Sequence, residues 1–383
     1  MVARPITVVQ MLPDLESGGV ERGTLEMGQY LASRGHRSLV ISAGGRMVSR
    51  LEAEGSRHLS WPVGDKHPGS LRYLLPLRRL LAGEPVDILH LRSRMPAWIG
   101  YLAWKSLPPG CRPALVTTFH GFYSVNRYSA VMARGEKVIA VSEAIAGHVR
   151  ARYKVSGDRI ALIYRGIDET VFSPDAVSPE RVEALRRRMG LAGCQTPLVM
   201  LAARITRLKG HDLLLTSLAG LRDLPWTCVF VGDADETSAY PPMLKKQVEA
   251  LGLQDRVVFA GHCDDMPAAL ALSDVVVSAS REPESFGRTA VEAQAMGRPV
   301  VASAHGGSLE VVRHGETGWL FQPGDPQALA HGLKTVLADP MLRQRWGARG
   351  RKWVARRFTV SRMCEKTVDI YGALLSSKQG EGR

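Results

Sequence analysis

Apolar positions along the chain alternate between two kinds of run. Short blocks rich in Val, Ile and Leu, such as residues 6–11 (ITVVQM), lead into a glycine turn, Ser17-Gly18-Gly19. A stretch from Val20 to Arg34 with apolar residues at helical spacing follows, closed by Gly35, and a second apolar block (SLVISA) comes next. Strand, turn, helix and strand in that order is a βαβ unit. Further strands are predicted at 88–91, 114–119, 137–141 and 160–163, with helical stretches between them. Around 172–188 the pattern turns polar, with Pro174, Pro179 and the charged segment RVEALRRRMG. A second alternating series begins at Pro197, with strands at LVMLAA, TCVFVG, RVVFAG, DVVVSAS and RPVVASA. The expected fold class is therefore α/β: two Rossmann-like domains, 1–185 and 186–359, each with a mostly parallel sheet covered on both faces. A final helical segment, about 360–383, packs back on the first domain or on the second. Two such domains facing each other form a cleft, and ligands in this architecture bind beyond the carboxyl ends of the strands.

Length agrees with this division, because 383 residues exceed what one core usually covers. Charge adds an expectation about partners. Lys and Arg number 50 against 37 Asp and Glu, a net +13 that suits an anionic partner. Positions 1–185 hold 24 basic and 17 acidic residues, so the excess is spread over both halves and no nucleic-acid motif is seen. Residues 343–357 hold seven basic and no acidic residues, which with Trp346, Trp353 and Val354 reads as a solvated helix face. The five cysteines are widely spaced without a CxxC pair, indicating neither a zinc site nor a disulfide framework and fitting a reducing cytoplasm. No apolar run approaches bilayer length, so any membrane contact is expected to be peripheral.

Chemistry concentrates in two stretches of the second half. In SREPESFGRTAVEAQAMGRPVVAS, residues 280–303, a strand ends, a loop carries Glu284, and a helix starting near Gly287 contains Glu292. Unpaired amides at that helix start, around Phe286, Gly287, Arg288 and Thr289, suit a phosphate. Glu284 is placed to accept hydrogen bonds from sugar hydroxyls, and Glu292 from the vicinal hydroxyls of a ribose. Small and apolar neighbours of Glu292, from Ala290 to Ala295, imply a buried helix in which an idle carboxylate is costly. In AARITRLKGHDLLL, Arg204 and Lys209 leave a strand five residues apart around a turn. Two such cations can converge on one diphosphate and stabilise its charge as it departs.

In the first half, Gly18 and Gly19 let backbone amides approach a phosphate or sugar. The turn is not GxGxxG, and no acidic residue closes the second strand, which weighs against a nicotinamide dinucleotide. His120 ends the strand LVTTFH and opens a glycine turn, as a site residue would. The segment HLRSRMPAW, with Arg92 and Arg94, lines an acceptor pocket or is a polar loop. Residues 71–81 (LRYLLPLRRLL), with Arg72, Arg78 and Arg79, rest on an acidic membrane or form a core-packing helix. Asp233-Ala234-Asp235 imitates a DxD metal signature but follows Gly232 in a Rossmann-like pattern and is read as coincidence.

Taken together, these segments resemble family 4 of the glycosyltransferases. The likeness runs from Gly18-Gly19-Val20-Glu21-Arg22 through HGFYSVNRYSA and Ser142-Glu143 to Arg204, Lys209, Glu284 and Glu292. The resemblance implies the GT-B fold and retaining transfer from a nucleotide diphosphate sugar, with UDP expected before GDP and neither metal nor other cofactor required. The acceptor it implies is a hydroxyl of lipopolysaccharide core or another envelope glycan, reached at the cytoplasmic face of the membrane. By that resemblance the positions of Arg204 and Lys209 contact the diphosphate, Glu284 and His120 the transferred sugar, and Glu292 the ribose. Phe286, Gly287, Arg288 and Thr289 supply backbone contacts, and a glycine of the Gly18-Gly19 turn faces the donor. Tyr123 and Asn126 join Arg92 and Arg94 on the acceptor side. It further implies front-face departure and attack, with a donor phosphate oxygen taking the acceptor proton. The rival readings are a sugar-nucleotide epimerase of the same architecture and a basic nucleic-acid-binding protein.

Overall fold

The computed structural model describes residues 4–16, 18–235 and 237–381, so Ser17 of the first glycine turn lies outside the described residues. The chain divides into two compact units, one formed by residues 1–166 and 360–383, the other by 167–359.

The first unit holds seven parallel strands: β1 (Thr7–Met11), β2 (Arg37–Ser42), β3 (Arg57–Ser60), β4 (Ile88–Leu91), β5 (Ala114–Phe119), β6 (Lys137–Ala140) and β7 (Ile160–Leu162). They lie in the order β3-β2-β1-β4-β5-β6-β7. The second unit holds six: β8 (Leu198–Ala202), β9 (Thr227–Val231), β10 (Val257–Gly261), β11 (Val275–Ser278), β12 (Val300–Ser303) and β13 (Gly318–Phe321), ordered β10-β9-β8-β11-β12-β13. Central strands such as β1, β5 and β8 are buried along their whole length. That is what strands covered by helices on both faces require, and why they read as unbroken apolar blocks. β3 and β13, absent from the sequence-based expectation, each lie at one edge of their sheet; β3 reads RHLS and is at most half-buried, so it carries no apolar signal.

The boundary falls at 166/167 rather than 185/186. Ile167 forms a parallel bridge with Thr359, its amide donating to Phe358 O at 2.8 Å, which ties the start of the segment to the end of the second unit. The polar helix Pro179–Arg188 buries Leu185, and Arg181 pairs with Asp265 at 2.6 Å. Its composition thus marks a surface helix of the second unit, not the boundary between the two. The closing helix Val360–Glu381 lies in the first unit, where Cys364, Val368, Tyr371 and Leu374 pack with Ile6, Val8, Met27 and Leu31.

Buried histidines sit within both cores. His90 of β4 has Nδ1 2.7 Å from Tyr371 Oη and Nε2 2.6 Å from Thr118 Oγ1. Burial, with the charge of Arg92 adding to it, holds this ring well below its ordinary value of 6.5. Burial likewise takes His211, edge-on to Phe230, down to about 4. An unfolded chain takes up protons on both rings as the pH falls through 6.5, whereas the folded chain does not. Stability is therefore expected to be insensitive to these rings above that pH and to decline below it. Urea denaturation followed from about pH 8 to about pH 5 checks this, with a midpoint that falls only in the acidic half.

Candidate functional site

Each sheet changes winding direction between its first strand and the fourth, at β1/β4 and at β8/β11, and the loops leaving the carboxyl ends diverge there. In the second unit these loops carry the sequence-predicted residues. Arg204 stands exposed just past β8. A 3-10 turn, Arg207–Lys209, then ends on Gly210 with φ 71°, where an added Cβ would run into the backbone carbonyl of Ala279. Only glycine permits so close an approach to the loop leaving β11.

Lys209 is thereby set against Glu284, its Nζ 2.5 Å from Oε1, and Ser280 Oγ donates to the same oxygen at 2.5 Å. Burial by itself pushes the Glu284 carboxyl up. The charge of Lys209, the hydrogen bonds from Lys209 and Ser280 and the nearby His305 outweigh that push and hold it below the usual carboxylate range. The pair therefore presents a fixed carboxylate beside a fixed ammonium.

The loop bearing Glu284 is held from the far side by the turn after β12. Gly306, at φ 55°, bridges to Glu284, and the amide of Gly307 donates to Glu284 O at 2.7 Å. A Cβ on Gly306 would strike the backbone of Glu284, and one on Gly307 the backbone of Phe286. His305 Nε2 is bonded to Ser280 O at 2.9 Å. The helix Arg288–Ala295 starts after Gly287, at φ 89°. Its positive end borders a cavity of about 180 Å³ lined by Lys209, Glu284, Gly287, Arg288 and Thr289 among others.

One turn along, Glu292 is 6% exposed and its Oε1 lies 2.8 Å from Arg288 Nε. Thr289 Oγ1 donates to Ala202 O at 3.3 Å, fastening the helix to the end of β8. Phe286 turns its ring inward, 5.7 Å from that of Phe358, so it offers the site only its backbone. The two aspartates of the DxD look-alike are engaged separately, Asp233 with His262 at 3.0 Å and Asp235 with Thr237 at 2.6 Å. Among the described residues no group of three or more His, Cys, Asp or Glu side chains is disposed to hold a metal ion.

The first unit gathers a different set at the ends of β1, β4, β5 and β7. Gly18 adopts φ 146° at the start of the helix Gly19–Ser33, and a Cβ on Gly19 would collide with the guanidinium of Arg165. Arg92 is 6% exposed and donates to Gln10 Oε1 at 2.8 Å, while its Nε is buried with no partner among the described residues. His120 is 9% exposed, with Arg165 Nη2 2.8 Å from its Nδ1. Arg94 stacks over the rings of Tyr123 and Tyr128, 4.9 and 5.4 Å from their centroids. Asn126 Oδ1 caps a turn by accepting from the Ser129 amide at 2.8 Å. Thus Gly19 and His120 come together around Arg165, and the charge of Arg92 acts on the same imidazole, whereas the side chain of Asn126 serves its own loop.

Ser280, His305, Gly306, Gly307, Gln10 and Arg165 were assigned no role from the sequence. A Gly-Gly pair directly after an apolar block was the available signal for Gly306-Gly307, the same one that marks Gly18-Gly19. Arg165 carries no such mark.

Two Rossmann-ordered units, with paired charges and a helix start at the carboxyl ends of the second sheet, are the arrangement of a glycosyltransferase of the GT-B type. Comparison with known proteins agrees. Residues 190–353 match the family described as Glycosyl transferases group 1, and residues 17–171 that described as Glycosyltransferase Family 4. The chain is 27% identical to the N-acetyl-alpha-D-glucosaminyl L-malate synthase of Bacillus anthracis, with 96% of this chain and 97% of the relative covered. It is 30% identical to a D-inositol 3-phosphate glycosyltransferase of Xylanimonas cellulosilytica, over 93% and 92% of the two chains. Among solved structures, a glycosyltransferase from Rickettsia africae superposes with TM-score 0.89 at 32% identity, covering 97% of this chain and 99% of that one. HepE from Anabaena, solved with UDP and glucose, gives 0.80 at 26% identity over 95% and 99%. The chain belongs to family 4 of the glycosyltransferases.

The clamp on Glu284 is open to test. Gly306→Ala forces a left-handed backbone on a side chain that also meets Glu284, at a cost of about 1–3 kcal/mol. Thermal denaturation is expected to show that loss, and transfer assayed where the variant is still folded should fall further than the stability change explains.

Proposed function

We propose that the chain transfers a hexosyl group from a UDP-sugar to a hydroxyl of an envelope glycan, with the anomeric configuration retained. The observation that carries this reading is the Lys209–Glu284 pair beside the start of the helix Arg288–Ala295. Lys209, Arg204 and the first amides of that helix meet the charge that develops on the leaving diphosphate, and no metal is called on. Glu284, kept ionised, accepts from hydroxyls of the transferred sugar, and Glu292 accepts from the ribose. His120 donates to the sugar, and the turn at Gly18 and Gly19 approaches the donor through its backbone. A donor phosphate oxygen takes the acceptor proton, so no side-chain base is needed. The UDP assignment is supported by the Anabaena neighbour, whose structures hold UDP and UDP-glucose.

On the acceptor side the proposal uses Arg94 and Tyr123, with Arg92 and Asn126 shaping the wall behind them. A second acceptor reading is favoured by the full-length relatives, whose names specify L-malate and inositol 3-phosphate. Both are small anionic alcohols. Peripheral contact with an acidic inner-membrane surface is part of the first reading. It is supported by Leu71 and Leu75, 50% and 59% exposed beside Arg72, Arg78 and Arg79, while Leu77 and Leu81 of the same segment are buried in the core. Among the described residues no helix is long and apolar enough to cross a membrane.

Assays with UDP-, GDP- and ADP-sugars against core oligosaccharide, L-malate and inositol 3-phosphate, read by product mass, decide between the acceptors. Donor epimerised in the absence of any acceptor would overturn transfer altogether. With the productive pair in hand, Arg204→Ala and Lys209→Ala are each expected to lower kcat by on the order of 10²–10³ at little cost in donor KM. Glu292→Ala should chiefly raise donor KM. Unimpaired transfer by Glu284→Ala would remove the basis of the assignment.

A further inference from the structure

At the carboxyl end of the first sheet one imidazole is satisfied on one side only. Arg165 Nη2 lies 2.8 Å from His120 Nδ1, and His120 Nε2 is buried with no partner among the described residues. A guanidinium can only donate, so Nδ1 is the acceptor and a neutral ring carries its proton on Nε2. The ring is neutral for physical reasons. Burial drives its pKa well below 6.5, and the charges of Arg165 and Arg92 act in the same direction. A buried N–H facing no protein acceptor is costly, and a ligand oxygen removes that cost.

We propose that Arg165 is the positioning residue of His120: by donating to Nδ1 it selects the Nε2–H tautomer and aims that proton, as a fixed donor, at a ligand oxygen. In the function proposed above, on which this identification of the ligand rests, the oxygen belongs to the transferred sugar. The brace has neighbours on two sides. The guanidinium of Arg165 fills the space over Gly19, where any Cβ would displace it. Burial raises the carboxyl of Glu21, in the first turn of the helix Gly19–Ser33, and the charge of Arg165 offsets part of that rise. The remaining polar neighbours leave Nδ1 alone: Arg92 bonds Gln10, His90 bonds Tyr371 and Thr118, and Tyr123 reaches only the His120 backbone. A fixed tautomer matters because the other one would turn a lone pair, not a proton, toward a sugar oxygen.

Nitrogen-15 spectra of histidine-labelled enzyme read this directly, with His120→Gln identifying the resonances. The wild-type protein is expected to show His120 protonated on Nε2 and bare on Nδ1 at neutral pH. Arg165→Met should average the two nitrogens and lower kcat about tenfold, the loss of one well-placed hydrogen bond, with donor KM within about twofold. Arg165→Lys, which can still donate, should restore most of the tautomer and the rate. Gly19→Ala displaces the guanidinium without deleting it and should resemble Arg165→Met, which keeps the test available if that variant folds poorly. A wild-type proton on Nδ1, or a tautomer unchanged in both Arg165→Met and Gly19→Ala, overturns the proposal. Full activity of His120→Gln alongside the expected spectra supports the role of Arg165 and overturns only the contact with the sugar.

Discussion

A sheet whose strands all run parallel must be connected by crossovers, and in this chain those crossovers bury both faces of both sheets. What remains for a ligand is the rim at the carboxyl ends, where every connecting loop begins. Lys209 and Glu284 follow β8 and β11, and Arg92 and His120 follow β4 and β5. The chemistry sits there because nowhere else on such a sheet do several loops converge, and the helix starting at Arg288 adds its dipole at the same rim.

Half-buried charges are expensive, so the second unit spends much of its loop structure on holding one pair together. Glu284 accepts from Lys209 and Ser280, Ser280 in turn is bonded by His305, and Gly306-Gly307 pin the backbone. Each component would be an ordinary loop feature alone. Jointly they keep a carboxylate ionised in a place where burial favours its neutral form. The first unit solves the opposite problem, keeping an imidazole neutral by burying it beside Arg165 and Arg92.

The central strands and the order of the site motifs were legible because burial on both faces writes an unbroken apolar block, and because glycine turns follow those blocks. β3 stayed hidden for the converse reason: an edge strand reading RHLS has no buried face to record. The polar segment around Pro179 reads as a domain boundary because a helix that buries little beyond Leu185 is nearly all charge. Glu284, Lys209 and His120 could be picked out as chemistry-bearing residues at strand exits. Arg165 could not, since its partner His120 is 45 residues away and only the fold brings them together.

The closing helix carries a consequence for how the molecule comes into being. Residues 167–359 are continuous and complete one unit, whereas the other needs residues 360–381 to cover Ile6, Val8 and Leu31 and to give His90 its Tyr371 partner. During synthesis the part made first is thus the part finished last. Until that helix leaves the ribosome, the amino-terminal sheet has part of one face uncovered and His90 has only its Thr118 partner, while the unit encoded after it can already be folded.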